Sequence, residues 1–271
     1  MIAEGAISLH GFTEGDHGAA FTAYVQALEA FDALAELQEL KVLGRERAGT
    51  APGRAVLDVG CGFGLETLRL ARAVQPGGRV CGIDKSEQFV AEAQRRATAA
   101  GLAVELRPGD AQALPYPDHG FDIVRAERVL VYLSDPAKAL AEMRRVAKPG
   151  GRIAIIEPDF GTNAINVRDR ALTRAVLDHE CDANIPQGWL VRDLEAMLRD
   201  QGSTDTEVAT RVVVFTPELA AGYFTQTERS ALQAGVIDAA GMERWSGAIA
   251  DLLARGRLFA AIGYYLFTAT A

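Results

Sequence analysis

Three glycines and three acids occur at the ends of apolar runs, and their spacing limits the chemistry they could support. Gly60, Gly62 and Gly64 interrupt "AVLDVGCGFGLETLRLA" (55–71), where a buried run passes into a helical pattern. Glycines at such a junction let the backbone bend tightly and let a ligand approach without interference from Cβ. Their G-x-G-x-G spacing departs from the dinucleotide fingerprint G-x-G-x-x-G, because Leu65 takes the place of the third glycine. A P-loop would need Gly-Lys-Ser/Thr, which the run lacks. Asp58, two residues ahead of the first glycine, would repel a pyrophosphate and favour an ammonium group. A ligand with an amino-acid head, an adenosine and no phosphate fits both features. Asp84 closes a second apolar run 20 residues after Gly64, where an acid can accept both hydroxyls of a ribose. Asp110, in "GDA" after a third run, could meet an adenine amino group, with the backbone of Ala111 nearby. Each acid alone is equally well read as a solvated loop residue or a helix cap. Together they fall at successive strand ends.

Such residues need a scaffold that gathers strand ends, and the chain supplies one from about Arg54 to Asp159. "AVLDVG" (55–60) reads as a strand, "LETLRLARAVQ" (65–75) as a helix broken by "PGG", and "VCGID" (80–84) as a second strand. Ser86 is the expected N-cap of "EQFVAEAQRRATAA", whose Phe89, Val90, Ala93 and Ala97 form one face, and Gly101 closes it. "AVELRPGD" (103–110) alternates as a third strand should, and "FDIVRAE" (121–127) is the fourth. Asp135 and Pro136 open "AKALAEMRRVA", "KPGG" (148–151) stops it, and "RIAIIEPD" (152–159) is the fifth. Strands alternating with helices predict parallel pairing with right-handed crossovers, hence a doubly wound α/β sheet. In such a sheet ligands bind beyond the carboxyl ends of the strands, where the glycine bend lies.

Residues 18 to 48 carry a helical pattern (Phe21, Tyr24, Val25, Leu28, Phe31, Leu34, Leu37). After Asp159 come polar helical stretches, then "RVVVFTP" (211–217) as a strand, a helical segment over 218–256, and "RLFAAIGYYLFTATA" (257–271) with a strand-like end. No internal repeat, low-complexity tract or long linker is visible, so the chain reads as one domain over 1–271 with helical additions.

Composition narrows the partners. The 271 residues are 49 % hydrophobic and 24 % charged, as in a soluble globular protein. Net charge is -8 and the pI about 5.1, which speaks against a non-specific grip on nucleic acid. Cys61, Cys81 and Cys181 show neither metal-ligand spacing nor an even number for disulfides, and read as buried small hydrophobes in a reducing compartment. No His, Cys or carboxylate set has the spacing of a metal site. No signal peptide and no apolar stretch of about 20 residues is apparent, so a cytoplasmic protein without membrane insertion is expected.

"VLDVGCGFG", "GIDKS", "GDAQALPYPDHGFDIV" and "MRRVAKPGGRIAIIEPD" closely resemble, in order, spacing and residue type, the successive motifs of the Rossmann-like (class I) S-adenosylmethionine-dependent methyltransferases. The likeness covers about 54 to 159. It implies a seven-stranded sheet, mostly parallel, with an antiparallel last strand; 209–216 and 260–270 suit the sixth and seventh. It divides the chain into an N-terminal helical cover (18–48), a cofactor-binding core (54–159) and lid helices with the last two strands (160–271). By the resemblance, Gly60, Gly62 and Gly64, with Asp58 and Cys61, line the methionyl end of the cofactor. Asp84 holds the ribose beside Lys85, Asp110 and Ala111 contact the adenine, and Ala126–Glu127 flank the cofactor next to the acceptor. Glu127 falls where many nucleic-acid and protein N-methyltransferases of the fold carry an Asn-Pro-Pro-Tyr type of motif, which turns the expectation to small molecules such as quinone-type and secondary-metabolite acceptors.

On that reading the protein takes a methyl group from S-adenosylmethionine, releasing S-adenosylhomocysteine, and passes it to a small hydrophobic acceptor, as a monomer or homodimer. A phenol or enol acceptor also needs its proton removed by a His or a carboxylate. His179 and Glu180, in "VLDHECDANIPQGW", lie where the family builds its lid, and Glu127 and Arg128 face the mouth after the fourth strand. An ion pair or helix cap explains that last pair equally well. Asp159 is placed to orient an acceptor or cap the next helix, and His17 precedes the N-terminal helix. Phe12, Phe21, Tyr24, Trp189, Tyr223 and Phe224 fall in the additions, as pocket lining or as packing. Two rivals remain: a protein that binds the cofactor structurally, or for a non-methylating rearrangement, and a dinucleotide-dependent oxidoreductase on a similar sheet.

Overall fold

The expected alternation of strands and helices is present, and the strand ends align as the site requires. The structure is a computed structural model describing residues 19–271. Its first strand, β1 (Ala55–Val59), is wholly buried and pairs in parallel with β2 (Arg79–Asp84) and β4 (Phe121–Glu127). β3 (Glu105–Pro108) pairs with β2, and β5 (Ala147–Ile165) with β4. With β6 (Thr204–Val214) and β7 (Ala260–Thr270) the sheet has seven strands in the order β3-β2-β1-β4-β5-β7-β6. The last strand runs antiparallel to its neighbours, and helices flank the sheet. The registers Asp58↔Gly82, Val59↔Ala126, Asp84↔Pro108 and Glu127↔Ile156 bring the carboxyl ends of β1, β2, β3 and β4 to one edge, beside Ile156 of β5.

Local sequence accounts for the helices between these strands. α3 (Leu65–Ala73) starts at Gly64, whose φ of 88° is left-handed, and its start has no side-chain cap. α4 (Glu87–Ala99) is capped by Ser86 Oγ accepting from Phe89 N at 3.2 Å, and it buries Phe89, Val90, Ala93 and Ala97. α5 (Pro136–Val146) is capped by Asp135 Oδ1 accepting from Lys138 N at 2.9 Å, with proline in its first turn. Val56, Leu70, Val74, Val80 and Ile123 meet in a core between α3 and the sheet.

The additions differ in detail from the sequence pattern. The stretch over 18–48 forms two helices, α1 (Ala19–Asp32) and α2 (Ala35–Arg47). Gln38 Nε2 donates to the Asp32 carboxylate and to its carbonyl, a group that a continuous helix would bond internally. The 218–256 segment is likewise two helices, α8 (Pro217–Gln233) and α9 (Ala239–Ala254), separated at Gly235, φ 71°. Between β5 and β6 lie α6 (Arg170–His179), a wide turn (Glu180–Asn184) and α7 (Leu194–Asp200). β5 extends beyond 152–159 at both ends. It starts at Ala147, the last residue of the expected helix, and so contains the expected stop, with a register irregularity against β4 at the Pro-Gly-Gly.

Contacts divide the chain into two compact units. One comprises the described residues through Glu39, Pro158–Trp189 and Arg211–Tyr264; the other comprises Leu40–Glu157, Leu190–Thr210 and Tyr265–Ala271. The first has an aromatic core in which Phe31 meets Phe215 and Tyr264, Phe215 meets Tyr223, Tyr223 meets Phe224, and Phe224 meets Trp245. Tyr223 and Phe224 therefore pack in the interior, whereas Trp189 is exposed and donates from Nε1 to Asp182.

Candidate functional site

The glycine bend is held from two sides. Ile83 O accepts from Gly60 N at 2.7 Å and from Cys61 N at 2.9 Å, fastening the bend to the end of β2. A Cβ on Gly60 would lie 2.1 Å from Val129 Cγ2, so only glycine lets the bend and the turn after β4 touch. Gly62 has φ 53° and open space where its Cβ would be, which leaves an approach for a ligand at that point. Cys61 is buried between these two contacts.

Asp84 locks the bend in place. Its Oδ2 accepts from Gly62 N at 2.8 Å and its Oδ1 from Ser86 N at 2.9 Å. Burial pushes this carboxyl above its ordinary range, and the two backbone donors and the nearby Asp58 modify that shift. Each oxygen has a further lone pair for an outside donor. Lys85 beside it is exposed. Asp110 is exposed and its Oδ1 accepts from Gln112 N at 2.8 Å; Ala111 is buried next to it.

Asp58 and Glu127 differ from the simplest reading of the sequence. Asp58 is 1 % exposed, and both its oxygens have partners inside the protein: Arg125 Nη1 at 2.8 Å and Thr67 Oγ1 at 2.6 Å. Its charge is thus answered by a guanidinium one strand away. Glu127 pairs with Arg125 Nη2 at 2.7 Å and with Lys41 Nζ, from α2, at 2.8 Å. Burial pushes the Glu127 carboxyl up, but Lys41 and Arg125 outweigh it and hold the group at about 2. For Arg125, burial opposes the charge and is overcome by Asp58 and Glu127, so the guanidinium stays ionised. Glu66, at the start of α3, pairs with Arg45 and Arg69. A buried frame of alternating charge thus joins α2, α3, β1 and β4.

The turn after β4 is fixed from β5. Arg128, at φ 53°, donates its backbone N–H to Ile156 O at 2.9 Å. The fully buried Glu157 accepts from Val129 N at 2.9 Å and Leu130 N at 2.7 Å through Oε1. Ala126 is fully buried in β4 beneath this turn.

The remaining candidates lie in the unit containing α6 and α8. His179 Nε2 is 3.1 Å from Ser230 Oγ, Ser230 Oγ donates to Asn184 Oδ1 at 3.1 Å, and Asn184 Nδ2 donates to Glu180 Oε2 at 2.8 Å. Tyr223 OH lies 3.4 Å from Glu180 Oε1 and accepts from Asn163 Nδ2 at 3.0 Å. His179 and Glu180, adjacent in sequence, are therefore also linked through Ser230 on α8 and Asn184 at the far end of the wide turn. Asp159, expected at a strand end, sits inside β5, where its Oδ1 accepts from Gly161 N. Phe12 and His17 fall outside the described residues.

Lys41, Arg45, Glu66, Thr67, Arg125 and Glu157 were not foreseen as parts of the site. The one local signal was a charge at an inward position of an apolar strand, as in "FDIVRAE" and "RIAIIEPD". Among the described residues no group of His, Cys, Asp and Glu could hold a metal ion, and no helix is long and apolar enough to cross a membrane.

A methyltransferase-domain family model matches residues 57–155. An uncharacterised 37.1 kDa protein in transposon TN4556 of Streptomyces fradiae is 41 % identical over 224 residues, covering 81 % of this chain and 63 % of that protein. A demethylmenaquinone methyltransferase of Bacillus cytotoxicus is 44 % identical over 107 residues, covering 39 % of this chain and 45 % of that one. The chain thus spans less than two thirds of the length of these relatives. Among solved structures, the [4+2]-cyclase SpnF superposes with TM-score 0.55 at 25 % identity, over 98 % of this chain and 87 % of that one. A SAM dependent methyltransferase from Aquifex aeolicus gives 0.52 at 26 % identity, over 73 % and 93 %. Residues 57–155 thus match a methyltransferase domain, and the strand order is that of the Rossmann-like sheet shared with solved S-adenosylmethionine-dependent methyltransferases.

Proposed function

We propose that the protein transfers a methyl group from S-adenosylmethionine to a carbon, oxygen or nitrogen nucleophile of a small, largely hydrophobic metabolite. The observation that carries this reading is the Asp84 carboxylate, which binds the glycine bend through Gly62 N and keeps acceptor capacity on both oxygens. One group thereby shapes the loop and offers what a ribose diol needs. The open side of Gly62 suits the amino-acid tail, and the uncapped start of α3 favours the tail's carboxylate. Asp110 and the backbone of Ala111 suit the adenine edge. Lys85, exposed beside Asp84, suits the outer rim of the ribose.

Bound there, S-adenosylmethionine supplies an electrophilic methyl group on a cationic sulfur. The protein's main contribution is then positioning, worth roughly 7–11 kcal/mol at its upper reach. Glu127, held at about 2 by its cationic partners, is a poor proton acceptor near neutral pH and serves as fixed charge beside Ala126. Arg128 contributes through the backbone shape of its turn. Where an acceptor proton must be removed, His179 is the proposed base, its ring oriented by Ser230. The match to a demethylmenaquinone methyltransferase makes quinone-type rings the first acceptors to test.

Incubation with methyl-labelled S-adenosylmethionine and a panel of hydroxyquinones and naphthols tests the proposal: labelled product with equimolar S-adenosylhomocysteine supports it. The likeness to a [4+2]-cyclase favours one other reading, with the cofactor as a structural ligand. Conversion of an acceptor without release of S-adenosylhomocysteine would select that reading and reject ours.

A further inference from the structure

We infer that Glu157 is a positioning residue for the amino-acid tail of the cofactor: it fastens the turn Arg128–Leu130 onto the glycine bend and so keeps the bend in its binding shape. This rests on the cofactor reading above and assigns a role to a residue to which the sequence reading gave none.

The geometry gives the reason. Glu157 lies on β5, fully buried, where an apolar residue would cost less. Its Oε1 accepts from two successive backbone N–H groups, Val129 and Leu130, at the start of a short 3₁₀ turn, Leu130–Tyr132. Those donors have no partner within the turn itself, so the carboxyl replaces the missing acceptor. The turn needs that hold. Arg128 adopts a left-handed φ of 53°, which side chains rarely take, and Val129 has to reach the bend.

Val129 is also the contact that transmits the constraint. Its Cγ2 occupies the space a Gly60 Cβ would fill, so any drift of the turn alters the wall against which the bend rests. The second oxygen, Oε2, is buried with no hydrogen-bond partner. Burial pushes the carboxyl up to about 8, with the two N–H donors and Arg128 pulling against it and Glu127 adding to it. At neutral pH the group works as a neutral acid, whose accepting oxygen a glutamine reproduces.

Calorimetry with two probes separates positioning from mere stability. S-adenosylhomocysteine carries the tail, and 5′-methylthioadenosine lacks it. Glu157→Gln should bind S-adenosylhomocysteine within about threefold of the parent protein. Glu157→Leu, and Glu157→Asp with its carboxyl drawn back by one methylene, should lose tenfold or more for S-adenosylhomocysteine yet bind 5′-methylthioadenosine within about threefold of the parent. In the parent protein, amide exchange at Val129 and Leu130 should slow on adding S-adenosylhomocysteine and not on adding 5′-methylthioadenosine; this arm stands even if the Leu and Asp variants do not fold. Equal losses for both probes, full retention of S-adenosylhomocysteine by Leu and Asp, or unchanged exchange with either probe would overturn the clamp while leaving the cofactor site intact. A parent protein that binds neither probe would overturn the cofactor reading, and the clamp with it.

Discussion

Asp84 ends β2 and Asp58 is the last residue but one of the neighbouring β1; they carry the same group, but their partners give them different work. Asp84 is met by two backbone N–H groups, which orient it and leave lone pairs over. Asp58 is met by Arg125 and Thr67, which use it up. Substituting Asp84 by Ala should weaken S-adenosylhomocysteine binding by more than tenfold in calorimetry, since charge-assisted hydrogen bonds are worth about 1.5–3 kcal/mol. Asp58→Asn should act first on stability. It leaves Arg125 half-answered in the interior, and losing one partner of a buried pair costs about 3–5 kcal/mol in denaturant unfolding. Glu157 gives a pH signature of its own. Its carboxyl is held at about 8, against an ordinary value of 4.5 in the unfolded chain, so the native state keeps a proton that the unfolded state has lost. Its contribution is full below about 4.5 and falls as pH rises through 8. Stability curves of Glu157→Gln against the parent protein should therefore diverge from pH 5 to 8 in favour of Gln, by up to about 4 kcal/mol. Parallel curves would place the proton elsewhere.

At the scale of elements, the charge frame explains why α2 belongs to the site's scaffold. Lys41 and Arg45, one turn apart on α2, reach Glu127 at the end of β4 and Glu66 at the start of α3. Lys41 is 4 % exposed, so its pair has little solvent screening. Lys41→Met alone should lower stability by about 3–5 kcal/mol, because Glu127 then faces the interior without one of its two ion-pair partners, keeping Arg125. Adding Glu127→Gln should recover most of the loss; a double variant as unstable as the sum of the single ones would deny the coupling. This frame marks the limit of what the sequence discloses. The strands and caps of the core were legible because their signals are local: a Ser three residues before the N–H it caps, a Pro in a first turn, apolar residues at a fixed period. The glycine bend and Asp84 were legible because strand order alone brings them together. Arg125 and Asp58 are 67 residues apart, and Lys41 and Glu127 are farther apart still, with nothing in either local pattern naming the other. The same holds for the break between α1 and α2, which a continuous apolar period hides, and for β5, whose Pro-Gly-Gly ends a helix and then enters the strand.

Across the whole molecule, the bend, Asp84, Asp110, the charge frame and Glu157 all lie in the unit made of Leu40–Glu157, Leu190–Thr210 and Tyr265–Ala271. The string from His179 through Ser230, Asn184 and Glu180 to Tyr223 lies in the other unit, and is knit by hydrogen bonds between α6, the wide turn that follows it and α8. The proposed cofactor residues and the proposed base thus belong to different packed units of one chain. A ligand that binds only the native state stabilises it by RT ln(1 + [L]/Kd), about 2.7 kcal/mol at a hundredfold excess over Kd. S-adenosylhomocysteine at that excess should raise the melting temperature by roughly 5 °C, and NADH should not. Hydrogen exchange should assign the added protection to the amides of 60–64, 84–86 and 109–112, where strand ends and bend meet, and to those of Val129 and Leu130. His179→Ala should leave that thermal shift unchanged while lowering turnover of phenolic acceptors by about 10²–10⁴-fold, since a base acts on the acceptor and not on cofactor affinity. A variant that loses the shift would make His179 part of the cofactor site; one that keeps full turnover would assign proton removal to the acceptor's own acidity.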